Sequence, residues 1–113
     1  MALDKQGRIS LGAELAEELE YELGMECRFV YEGNKTFRLV PTVNLLSSDK
    51  VVGPKVEIDS TGYCVQIPNE IRQTFGENVL IYGNAMEGYL YFEFQDQMNE
   101  ILSKISLILE KLA

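Results

Sequence analysis

Catalytic chemistry usually starts from histidine, reactive cysteine or paired carboxylates, and this chain of 113 residues offers little of it. It has no histidine, which removes the commonest general base and the commonest metal ligand. Ser–His and Cys–His nucleophile pairs are thereby excluded, and so are Cys2His2 zinc sites. The two cysteines, Cys27 and Cys64, lie 37 residues apart without a CxxC motif. Two thiols cannot close a zinc site alone, and they read as buried small hydrophobes rather than a disulfide. The stretch Gly83-Asn84 to Gly88 lacks the lysine and the spacing of a phosphate loop and reads as a hairpin turn. No enzymatic activity, metal or cofactor is expected.

The ionic groups are unevenly balanced, 10 basic against 18 acidic, a formal net charge of −8. Such acidity repels polyanions at long range, so any anion-binding patch must be local. Hydrophobic residues make up 46% of the chain and charged residues 25%, ordinary for a globular domain and incompatible with wholesale disorder. Apolar runs are too short to span a bilayer, so no membrane association is expected. The opening MALDKQGRIS has no apolar h-region, which predicts a cytoplasmic protein without a signal peptide.

The elements that would position these groups occur twice. Leu3-Asp4-Lys5-Gln6-Gly7-Arg8-Ile9-Ser10-Leu11 and Ile58-Asp59-Ser60-Thr61-Gly62-Tyr63-Cys64-Val65-Gln66-Ile67 each hold an apolar residue, Asp-x-x-Gly and a β-type run. After Gly12, Leu15, Leu19 and Leu23 recur at helical spacing with a stop at Gly24; after Pro68, Ile71 and Phe75 do so with a stop at Gly76. The first helix is expected to be a turn longer than the second. Each unit then gives a hairpin: strands 27–31 and 36–40 around Glu32–Lys35, and strands 79–82 and 89–92 around Gly83–Gly88. Tyr82, Tyr89, Tyr91 and Phe92 alternate on these strands, as core and cross-strand pairing require. Residues 42–53 read as a linker lying against a surface through Leu45-Leu46 and Val51-Val52. From about Gln95 onward, Met98, Ile101, Ile105, Ile108 and Leu112 step by 3, 4, 3, 4, predicting an amphipathic helix over 95–113. That stripe can pack on its own domain, but its a/d regularity favours contact with a second chain, which makes it an oligomerisation helix and the protein a homo-oligomer, expected to be a dimer.

The pattern from Asp4 to Leu11, and its second copy from Asp59 through Pro68-Asn69-Glu70-Ile71-Arg72 to Phe75-Gly76, resembles the AbrB/SpoVT/MazE family of swapped-hairpin domains. The tandem arrangement resembles MraZ proteins, whose two halves build one barrel. The resemblance implies a mainly β fold with short helices. In it, two ββαββ repeats, residues 1–41 and 54–94, interleave into one pseudo-twofold barrel, with the linker between them and a C-terminal amphipathic helix after them. Ile9, Leu11, Val65 and Ile67 are then expected inside. It also implies a DNA-binding transcriptional regulator acting on duplex DNA, with Lys5, Arg8, Lys55 and Arg72 as DNA-contacting residues, since an arginine fork suits phosphate or guanine. The chain departs from the family pattern where Tyr63 takes the place of Arg8 in the second copy, where an extra residue after Gly62 suggests a bulge, and where Gly12 stands for Pro68.

Charge arithmetic opposes strong DNA binding. Residues 2–41 carry 5 basic and 8 acidic groups, net −3, and residues 54–95 carry 2 and 6, net −4. Glu14, Glu17, Glu18, Glu20 and Glu22 crowd the first helical stretch. The alternative function is therefore a non-catalytic interaction module on the same fold, its acidic surface meeting a basic protein partner.

Overall fold

The computed structural model describes residues 3–4, 6–60, 62–84 and 86–95. Along these run β1 (Arg8–Ser10), α1 (Ala13–Glu18), β2 (Glu26–Gly33), β3 (Thr36–Pro41), a 3-10 turn (Thr42–Asn44), β4 (Val51–Glu57), β5 (Cys64–Gln66), α2 (Asn69–Phe75), β6 (Val79–Asn84) and β7 (Tyr89–Phe94). Both hairpins form. In the first, Asn34 and Lys35 both take positive φ, the left-handed pair whose twist suits a two-residue hairpin loop. In the second, the Asn84 side chain accepts the backbone N–H groups of Met86 and Glu87, and Gly88 turns back onto Asn84.

Strands from both halves of the chain share both sheets. One sheet is β1 antiparallel to β5, with Ile9 opposite Val65. The other has five strands in the order β4-β2-β3-β7-β6. Its central pair, β3 with β7, sets Phe37 opposite Phe92 and Leu39 opposite Leu90. β4 begins at Val51, so the last residues of the segment read as linker pair with β2, Val51 opposite Val30 and Val52 opposite Phe29.

The two sheets enclose one core. Ile9, Leu11, Val65 and Ile67 are buried as expected, together with Phe29, Phe37, Leu39, Leu90 and Phe92 of the larger sheet. Phe29 meets Phe92 edge-on with ring centroids 5.2 Å apart, and Phe37 meets Phe75 of α2 at 5.3 Å, the T-shaped contacts that aromatic quadrupoles prefer. On the opposite face of the sheet, Tyr82 and Tyr91 stack across the β6–β7 pair, and the Arg38 guanidinium lies 4.9 Å from the centre of the Tyr89 ring.

Two expectations are corrected. The described strands do not close a barrel: β1 and β5 have three residues each and pair only with one another, leaving β4 and β6 as outer strands of an open sheet. Each of the two short strands runs straight into a helix, at Gly12 and Pro68, before it could reach the larger sheet's margin. The first helix is also the shorter one, ending at Glu18 rather than at Gly24. Glu20 turns left-handed (φ 64°), and Tyr21 drops into the core, where its hydroxyl donates to the Leu39 carbonyl and accepts the Leu90 N–H at 3.1 Å. Leu23, the third member of the helical series, is left 47% exposed. α2 ends as read, at Gly76 with φ 90°. The helix expected over 95–113 falls on residues which, apart from Gln95, lie outside the described ones.

Candidate nucleic-acid interface

Asp4 organises the first loop. Its Oδ1 accepts the backbone N–H groups of Gln6 and Arg8, each at 2.8 Å, while the Asp4 N–H donates to the Arg8 carbonyl. This is the local side-chain-to-backbone closure that makes aspartate a turn former. These bonds, the Arg8 N–H first, hold the Asp4 carboxyl below its ordinary pKa.

The second loop is one residue longer. The Asp59 N–H reaches the Cys64 carbonyl, five positions on, where Asp4 reaches Arg8 at four. Mirrored bonds show where the extra residue went. Leu11 donates to the Tyr63 carbonyl, and Ile67 donates to the Gly7 carbonyl. The Ser10 hydroxyl donates to Gly62, and the Gln66 amide donates to Gln6. Tyr63 thus stands where Gly7 stands, in the same left-handed region (φ 56° and 78°), and Cys64 is the counterpart of Arg8. The insertion is absorbed inside the loop ahead of β5, rather than as a bulge after Gly62. The Tyr63 hydroxyl donates to Glu17 of α1 at 3.2 Å, and burial of the ring helps push its pKa up.

The structure places two of the four predicted cations at the first loop, Arg8 within it and Arg72 packed on its glycine. The Arg72 side chain, from α2, lies flat on Gly7, so closely that a Cβ there would overlap the guanidinium, with Nε 2.7 Å away. Only glycine admits this approach as well as the positive φ. Arg72 makes no ion pair among the described residues; its Nη2 donates to Asn69, and its buried Nε finds no partner. Arg8 is the next residue along. Its Nε is 3.2 Å from Asp4 and its Nη1 3.9 Å from Asp59, so one arginine links the two aspartates of the repeated motif. Lys55 is exposed on β4 with Nζ 3.5 Å from Glu26, and no contact joins it to the arginines. Lys5 lies outside the described residues. So do Met98, Ile101, Ile105, Ile108 and Leu112 of the expected oligomerisation stripe.

Carboxylates crowd the neighbouring surface. A shallow depression beside the second loop is lined by Glu17, Glu20, Tyr21, Glu22, Leu23 and Tyr63. Reading the sequence missed the double aspartate partnership of Arg8. Half of it was legible in the Asp-x-x-Gly turn; the other half depends on a residue 51 positions away. Among the described residues no group of histidine, cysteine, aspartate or glutamate could hold a metal, and no helix is long and apolar enough to cross a membrane.

What fold and site together define is a mainly β chain of two sheets and two short helices, with Arg72 lying on Gly7 of the first loop and Arg8 held there by two aspartates. No protein-family profile, curated protein or solved structure matches the chain.

Proposed function

We propose that the chain is a cytoplasmic, non-enzymatic DNA-binding regulator of the AbrB/MraZ type, built from two swapped-hairpin repeats. The observation that carries the reading is the packing of Arg72 on Gly7, which gathers one arginine from each half of the chain at the first motif loop. The repeat reading draws support from register. Shifting by 53 residues exchanges Phe37 with Leu90 and Leu39 with Phe92, so the β3–β7 pairing maps onto itself about Arg38 and Tyr91. The mirrored bonds Leu11–Tyr63 and Ile67–Gly7 do the same for the smaller sheet.

In this reading Arg8 and Arg72 contact phosphate, and Lys5 and Lys55 flank them. Asp4 and Asp59 compete with phosphate for Arg8, which keeps binding weak. Two to four phosphate contacts per chain correspond to a slope of log K against log salt of about −2 to −4. Titration of a labelled mixed-sequence duplex at low salt tests this. Arg72→Ala is expected to lower affinity and reduce the slope by about 1, and Arg8→Ala to cost about 1–3 kcal/mol if the side chain reads a base. Absence of binding by the intact protein at low salt overturns the proposal.

A second reading rests on the same ion pairs. With Arg8 held by two aspartates and Glu17, Glu20 and Glu22 nearby, the face suits a basic protein partner. Binding to a lysine-rich polypeptide but not to DNA would favour it.

A further inference from the structure

The two margins of the five-stranded sheet are treated differently. β4 carries Gly53, Pro54, Lys55 and Glu57, the residue types that protect an edge from pairing, and Pro68 packs against Gly53. β6 reads Val-Leu-Ile-Tyr-Gly-Asn, without a charge or a proline. Over residues 80–84 it has no neighbour on its outer side among the described strands. Leu80 is 46% exposed there and Tyr82 39%. Beside this bare edge lies a mostly apolar groove of about 260 Å³, lined by Leu11, Leu15, Val79, Leu80 and Ile81 together with Ser10 and Gly12. Leu15 of α1 and Leu19 just after that helix pack close against Gly83, whose missing side chain lets them in. An unprotected apolar edge next to an open apolar groove calls for a cover.

We infer that the C-terminal segment of the same chain, residues 98–112, docks its apolar stripe along β6 and into this groove. Three observations select that occupant. The chain leaves the sheet at the groove's mouth: the Gln95 N–H donates to the Asn78 carbonyl at 2.9 Å, next to Val79. The lengths agree, since fifteen helical residues span roughly 22 Å and six strand residues roughly 20 Å. At helical spacing Met98, Ile101, Ile105, Ile108 and Leu112 would form one continuous apolar face, and the residues just before them, Gln95-Asp96-Gln97, are polar. Pairing of that stripe with its copy on a second chain would leave both β6 edges bare, whereas docking on β6 covers edge and stripe together.

The chain contains no tryptophan, so Leu80→Trp gives a single reporter at the groove. The full-length Leu80→Trp protein is expected to be monomeric by light scattering and to show the blue emission of a shielded indole. Adding Ile101→Asp, Ile105→Asp and Ile108→Asp should shift that emission to the red of a solvated indole while circular dichroism retains the strand signal. Hydrogen exchange on the otherwise unaltered protein gives a second measure: the aspartate substitutions should remove protection from β6 amides and leave β3 amides protected. Emission and exchange unmoved by the aspartates would overturn the inference. So would a dimer that those substitutions split into monomers, since the stripe would then join two copies. Neither outcome depends on the arginine loop, so this test and the DNA titration fail independently.

Discussion

The loop entering β1 and the loop entering β5 occupy matching places on the smaller sheet and use them differently. At Asp4–Arg8 the turn is closed by a carboxylate, its left-handed position is a glycine, and the space above that glycine holds an arginine from the other half of the chain. At Asp59–Cys64 the turn is one residue longer, its left-handed position is Tyr63, and the ring leans on α1 through Glu17. One loop is shaped to bring charge to the surface, the other to anchor a helix. Equivalent backbone therefore does not imply equivalent chemistry: a single inserted residue moves the glycine of the motif off the position where a guanidinium could lie over it.

The largest effects should come from the buried residues that the two loops share. Leu11→Ala and Ile67→Ala, at mirrored positions, should each cost about 2–5 kcal/mol in urea unfolding. A cost well under about 1 kcal/mol at one of them would break the equivalence. Gly7→Ala comes next, at about 1–2 kcal/mol for the left-handed backbone, and it should also displace Arg72. Loss of DNA affinity in step with Arg72→Ala would sharpen the contrast with the tyrosine loop.

Asp4→Asn separates the loops by pH. The folded pKa of Asp4 lies below its ordinary 3.8, so the charged carboxyl stabilises the fold above that value. That contribution is lost as pH falls through the lower folded pKa. The variant should be less stable than the parent near neutrality, and the difference should vanish in acid; a constant difference across a stability–pH series would count against the turn. Smallest is Tyr63→Phe, which removes one exposed hydrogen bond and should cost about 0.5 kcal/mol or less in thermal unfolding.

Much of this organisation is legible in the sequence because it is local. Alternation over 27–31 and 89–92 and the Asn-containing turns mark the hairpins, and apolar residues beside Asp-x-x-Gly mark Ile9, Leu11, Val65 and Ile67 as core. What escaped is set over long range. The first helical series continues through Leu23, but Tyr21 gains more from two buried bonds to β3 and β7 than from another helical turn. Closure of a barrel depends on the reach of three-residue strands, which no periodicity encodes. The approach of Arg72 to Gly7 joins residues 65 positions apart, and only the glycine hinted that something had to come close.

The central pairing of the larger sheet has a consequence for how the protein is made. β3 lies between β2, its hairpin partner, and β7, which starts more than fifty residues later. As the chain is synthesised at about 5–20 residues per second, the first hairpin emerges with the open side of β3, and the apolar Phe37 and Leu39 beside it, exposed for roughly 3–10 s before β7 exists. Tyr21, made earlier still, waits longer for the Leu90 amide, 69 residues on. The first half can therefore pair its hairpin as it emerges, but the shared core waits for β7, so the order of synthesis separates hairpin formation from core formation.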